Sequence, residues 1–298
     1  MSDSLYRLTP DIKMAFESLS IKSPHLSSGA VSAIVTHNFL RDTFTIQTWL
    51  LIGAALQSLL TILLPLPYAI LPAICLLSWR AMHTVLMAFG YIRNTNMDDV
   101  VWGKFSAQVP GRDGMLPEKG AAEDVTVIML GARSNHPLGI FGPGYQQVGD
   151  FMNKMLAQLE GNAEEYGFLG STTYLEATAR KTSNQSIILC YFRSIEEMHR
   201  YAHSPLHREA WNWWNSITRT HPHLSISHEV YHAPKGCWEN IYVNYHLTGI
   251  ANMRIDVKGS EGGVRPIVDA SRGGLRTQTG RLAKSDGADN EKYGVDPY

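Results

Sequence analysis

What this sequence lacks narrows it first. It has three cysteines, Cys75, Cys190 and Cys237, far apart and without a Cys-x-x-Cys pair. That spacing supports neither a disulfide framework nor a zinc knuckle, and it fits a reducing compartment. No run of Lys and Arg interleaves with aromatics, and the net charge is -1, so no nucleic-acid partner is expected. Twelve histidines are present, but no HExxH or comparable ligand spacing, so no metal is expected. The glycines between His136 and Gly144 are not followed by Lys-Ser/Thr, which rules out a phosphate loop. The first residues have no basic stretch leading straight into an apolar core, so no cleavable signal peptide is expected.

The most telling absence is of charge. From Thr43 to Trp79 there is no Asp, Glu, Lys or Arg. Phe44 to Leu64 is long enough to cross a bilayer, which takes about 20 apolar residues. Pro65-Leu66-Pro67 then breaks the helix, and Tyr68 to Tyr91 is a second apolar run containing Arg80 and His83. Residues 44–92 are therefore expected to form a membrane helical hairpin after a polar N-terminal segment, residues 1–43. A pair of buried core helices is the competing reading. Arg7, Lys13, Lys22 and Arg41 precede the first run; Arg93 and Lys104 follow the second. A hairpin places both flanks on one side, and the positive-inside rule makes that side cytosolic. The expected location is a membrane, that of the endoplasmic reticulum, with the soluble part facing the cytosol.

Residues 93–123 read as a polar linker. After it, Asp124–Leu130 is β-branched and apolar, a strand ended by Gly131. Tyr145–Ala163 repeats apolar residues at helical spacing: Val148, Phe151, Met152, Met155, Leu156, Leu159. Phe168–Ala179 and Ser186–Phe192 read as strands, Ser194 caps a short helix, and a Trp-rich helix follows. Leu224–His232 is the fourth strand, and Trp238–Tyr245 a further strand or an extended arm. The order β-α-β-β-α-β predicts an α+β, ferredoxin-like domain over residues 124–252, with helices on one face of an antiparallel sheet. Residues 253–298 are rich in Gly, Arg and Asp and poor in aliphatics, and are expected to be a disordered tail.

The chain's chemistry concentrates in the Trp-rich helix. Ser204 is a natural N-cap, and Pro205 fits the first helical position. At about 100° per residue, Leu206, Ala210, Trp213 and Ile217 form a core stripe. His207, Trp211 and Trp214 form a second stripe about a quarter-turn away. That stripe suits either an interface or a pocket for an apolar substrate, with Trp211 and Trp214 as walls and His207 as a base titrating near working pH. On the fourth strand, Ile226, His228, Val230 and His232 share one face, so His228 is expected to point toward the helices. Glu229 and Tyr231 share the other face. Glu229 is a substrate-binding candidate, and Tyr231 a donor to an enolate-like oxygen. Arg193, at the end of the third strand, could pair with a substrate carboxylate or with Glu196 or Glu197.

Tyr191-Phe-Arg-Ser194, His203-Ser-Pro-Leu-His-Arg-Glu-Ala-Trp-Asn-Trp-Trp-Asn215, His228-Glu-Val-Tyr231 and Glu239-Asn-Ile-Tyr-Val-Asn244 together resemble a monooxygenase-like family of fungi and bacteria. That family is related to the antibiotic-biosynthesis monooxygenases, which are dimeric α+β barrels. Fungal members often carry N-terminal membrane segments. The resemblance covers roughly residues 124–252 and the membrane segment. It implies a homodimer that oxidises a lipophilic secondary-metabolite intermediate, a polyketide or terpenoid, with O₂ and no bound cofactor. It supplies no catalytic residue, and the Asn/Trp/His set of haem-degrading relatives has no matching position here. Two alternatives stay open: a redox-neutral cyclase or dehydratase, and a non-catalytic dimeric binding module of the same fold.

Overall fold

The computed structural model describes residues 19, 28–255 and 265–289. Three helices lead the chain: α1 (Ser28–Thr43), α2 (Ile46–Leu63) and α3 (Leu66–Ala88). Thr45 caps α2, its hydroxyl accepting the Thr48 N–H at 3.2 Å. Leu64 and Pro65 separate α2 from α3, because Pro65 and Pro67 cannot continue the amide ladder. Where the two helices meet, the Gln57 side chain donates to the Ala69 carbonyl at 3.0 Å. Both helices are long and apolar enough to cross a membrane, and no residue of α2 is buried.

The rest of the described chain holds two antiparallel sheets. Its elements are β1 (Val100–Ala107), β2 (Val125–Ser134), α4 (Tyr145–Gly161), α5 (Ala163–Tyr166), β3 (Phe168–Leu175), β4 (Ser186–Phe192), α6 (Ile195–Ala202), α7 (Pro205–Ile217), β5 (Leu224–Ala233), β6 (Tyr242–His246), β7 (Ile267–Asp269) and α8 (Gln278–Arg281). The larger sheet runs β3-β4-β2-β5. With two helical connections on one face, this is the ferredoxin-like α+β arrangement that the sequence predicts. Alternation in the strands builds its core. Ile128, Leu130, Ile188, Cys190 and Phe192 pack under Met155, Leu159, Tyr166, Met198 and Tyr201.

The smaller sheet, β6-β1-β7, corrects three sequence expectations. The supposed linker contains β1, whose Val101, Phe105 and Ala107 are buried. Trp102-Gly103-Lys104 interrupts the alternation there, at the register irregularity between Val101 and Lys104, and so hid the strand. The last strand before the tail begins only at Tyr242 and pairs with β1. The supposed disordered tail supplies β7, paired with β1 over three residues, and buries Val268, Ala270 and Leu275. A short strand needs few aliphatics once β1 offers it a free edge and a ready apolar surface. Residues 256–264 and 290–298 of that tail lie outside the described residues.

This second sheet covers part of the larger sheet's other face. Val125, Val127, Leu189 and Tyr191 pack with Phe105, Ile250, Met253 and Ile267. Edge strand β5 is left largely open, with every residue from Ser225 to His232 exposed.

Candidate active site

The Ser204 hydroxyl accepts the His207 N–H at 3.4 Å and starts α7 as predicted. Trp213 turns toward α4, its ring 5.2 Å from Phe151. That contact fixes the rotation of α7 and sets His207, Trp211 and Trp214 on a different side from the α4 contact. Trp211 is exposed and Trp214 half-buried. Across from the helices, His228 pairs with Leu130, a residue of the helix-side core, so His228 faces the same layer as α7. Ile226 and Val230 flank it on that face, 43% and 40% exposed. His228 and the helix carrying His207, Trp211 and Trp214 thus lie on the same side of the sheet.

His207 is half-buried, and its ring meets Tyr201 edge-on at 6.0 Å. Its Nδ1 atom is shielded from solvent and has no hydrogen-bond partner among the described residues. Burial pushes its pKa below the usual histidine value. The Ala202 main chain opposes this, while His203, Arg208 and His228 lower it further. A half-buried imidazole that burial keeps neutral is suited to accept a proton from a bound substrate.

The other candidates do not join this site. Glu229 and Tyr231 lie on the opposite face of β5, where the Tyr231 hydroxyl donates to the Glu229 carboxylate. That bond, more than burial, raises the Tyr231 pKa. The two faces of a strand cannot serve one pocket, which separates Tyr231 and Glu229 from His207 and His228. Arg193 is also elsewhere, its Nη1 donating to the Pro110 carbonyl at 2.7 Å. Neither predicted partner binds it; Glu197 pairs with Arg112 at 2.9 Å.

Two further groupings went unread in the sequence. Tyr174, Tyr191 and Tyr242 bring their hydroxyls around Gly249, between the two sheets. Only the crossing of β3, β4 and β6 at that point assembles them. Arg133 lies on the face of β2 away from the helices, with Nε and Nη2 shielded and without hydrogen bonds, 3.9 Å from Glu176. A lone arginine at the end of an apolar strand was the available signal. Among the described residues, no three His, Cys, Asp or Glu side chains are placed to hold a metal.

Residues 125–250 match the monooxygenase af470-like family. The chain is 33% identical over 267 residues to monooxygenase af470 of Aspergillus fumigatus, covering 88% of this chain and 94% of that protein. The chain belongs to this monooxygenase family. Among solved structures, it is similar to the aldoxime dehydratase OxdRE in complex with butyraldoxime, at 14% identity and a TM-score of 0.36, over 57% of this chain and 40% of that one. It is also similar to SnoaB, a cofactor-independent oxygenase from Streptomyces nogalater, at 14% identity and a TM-score of 0.24, over 37% of this chain and 92% of that one. Family membership makes the chain an oxidoreductase. The match takes in both the Trp-rich helix and β5, and so both His207 and His228.

Proposed function

We propose that this protein is a membrane-anchored monooxygenase that oxidises a lipophilic substrate, a polyketide or terpenoid intermediate of secondary metabolism, with O₂ and without a bound cofactor. The observation that carries the reading is the half-buried imidazole of His207, held neutral by burial on the helix that presents Trp211 and Trp214, with His228 facing the same layer of the fold. An activated C–H of the substrate gives its proton to His207. The resulting carbanion adds to O₂ and forms the C–O bond. The peroxide takes up a proton, the O–O bond breaks as the second hydrogen leaves carbon, and a ketone and water result. The substrate supplies the electrons, and the protein supplies orientation and the base. His228 accepts a hydrogen bond from the substrate or holds the imidazole pair in register, and Trp211 and Trp214 offer flat apolar walls.

The anchor is α2 and α3. A substrate that partitions into the bilayer then meets the domain at the surface of the same membrane. Arg41 and Arg93 flank the hairpin and favour a cytosolic domain, with the endoplasmic reticulum as its membrane. The open outer face of the larger sheet, with Met129, Ile187 and Tyr231, is the surface a second copy would cover in a homodimer.

The test is O₂ uptake by the detergent-purified chain with enolisable polycyclic substrates, for wild type and His207→Gln. Loss of an acid–base group costs about 10²–10⁴-fold in turnover. Full turnover in the variant removes His207 as the base. No uptake by the wild type with any such substrate, in a protein whose Trp211→Ala variant loses only its dimer, would leave the binding module as the reading.

A further inference from the structure

We infer that the loop between β2 and α4 is a lipid-contacting foot: Leu138 and Phe141 enter the headgroup region of the bilayer that α2 and α3 cross, and so hold the catalytic domain against the membrane surface. The inference rests on the reading of α2 and α3 as membrane spans.

The loop is built to present these side chains. Leu138 and Phe141 are each 58% exposed, on a single 3₁₀ turn, Gly139–Phe141. The turn is stiffly held. Gly139 N–H donates to the His136 carbonyl at 2.8 Å, Phe141 N–H to the Leu138 carbonyl at 3.1 Å, and Leu138 N–H to His136 Nδ1 at 3.1 Å. Gly139 has φ +57°, in the left-handed region, and a Cβ there would lie within contact of Ser183 Oγ and 3.4 Å from the Thr43 methyl. The turn thus packs through its glycine and leaves its two large apolar side chains outside.

The same loop lies beside the entry to the first span. Thr43 is the last residue of α1, and only Phe44 and Thr45 separate it from α2. The end of α1 is clamped to the domain. The Asp42 carboxylate accepts the Asn184 N–H at 2.7 Å and its side-chain amide at 3.2 Å, and the Asp42 carbonyl accepts the Ser183 N–H at 2.8 Å. Phe39 and Asp42 border one small cavity together with Ile140 and Tyr145. The start of α2 bears the marks of a membrane interface. Phe44 and Trp49 stack edge-to-face at 5.3 Å, and the indole N–H of Trp49 donates to the Arg41 carbonyl at 3.1 Å. An amphipathic indole half in and half out is characteristic of the headgroup level. A loop in contact with Thr43 stands at that level too, so the partner that suits Leu138 and Phe141 is lipid.

The experiment uses the full chain in phosphatidylcholine–phosphatidylserine nanodiscs. Exposed Cys75 and Cys237 are replaced by Ser, and an environment-sensitive fluorophore is placed at Leu138→Cys, Phe141→Cys or, within α2, Leu51→Cys. Quenching by iodide in water is compared with quenching by lipids bearing a nitroxide near the headgroup or deep in the chain. The expected result is a blue-shifted probe at 138 and 141 that the shallow nitroxide quenches and iodide does not, with the probe at 51 quenched from within the bilayer. In an Asp42→Ala background, the probe at 138 is expected to regain iodide quenching while the probe at 51 keeps its lipid quenching. If 138 and 141 respond to iodide alone while 51 responds to lipid, the foot is refuted and the spans stand. If 51 also responds to iodide alone, the span reading falls and takes the foot with it.

Discussion

Replacing Ile267 by Ala should cost far more than a residue in a loose tail could. Ile267 is 0% exposed, pairs with Ala107 across the β1–β7 ladder, and belongs to the core cluster of Phe105, Met253 and Tyr191. Its carbonyl also accepts the Leu19 N–H at 2.8 Å. Three carbons leave the core on truncation. At about 0.8 kcal/mol per methylene, with a further contribution from the cavity left behind, the loss is about 3 kcal/mol. For a domain of this size, that corresponds to a fall in Tm of roughly 6–12 °C. The comparison is Arg272→Ala, five residues on. The Arg272 side chain is 86% exposed and pairs with Asp269 at 2.9 Å, so its removal should cost about 0–1 kcal/mol. Near-ultraviolet circular dichroism of the detergent-purified chain follows the aromatic core through thermal unfolding. Equal, small shifts for the two variants would refute the placement of β7 in the core and restore the picture of a free tail.

The remaining expectations concern the site and the thiols. His207 has a pKa lowered by burial, so the acid limb of the turnover profile should lie below about pH 6.5, the free-imidazole value. The same shift links to folding: the unfolded chain binds the proton more readily, so stability is full above the unfolded pKa and declines as pH falls through the folded one. His207→Gln should flatten that decline in chemical unfolding measured between pH 7 and pH 5. Tyr231→Phe should leave turnover within about twofold of wild type while His228→Ala lowers it at least about tenfold, because the two residues face opposite sides of β5; equal losses would contradict the division of the site. Burial pushes the Cys190 thiol up to about 12, so a maleimide should label exposed Cys237 promptly and Cys190 only after unfolding, counted by mass spectrometry.

Local physics made much of this protein legible. The charge-free stretch gave α2 and α3, the Ser204-Pro205 pair gave the start of α7, and alternation in Leu224–His232 placed His228 toward the helices. Those signals act within a few residues, where side-chain period and capping decide the outcome. β1 and β7 were not legible. Val100–Ala107 breaks its alternation at the Trp102-Gly103-Lys104 irregularity, and Ile267–Asp269 is too short to announce itself. Each becomes a strand because the other, with β6, completes its hydrogen bonds.

The sequence by itself determined the hairpin, the β-α-β-β-α-β order and the stripe of His207, Trp211 and Trp214, because hydrophobic period and backbone propensity are properties of neighbouring residues. Only the tertiary structure decided which candidates share a site. Strand pairing turned His228 toward the helix layer and sent Glu229 and Tyr231 to the opposite face, while Pro110 took the Arg193 guanidinium. It also carried the Gly139–Phe141 turn to the end of α1, about a hundred residues earlier in the chain. Contacts between residues so far apart depend on how whole elements pack, and no local pattern encodes that.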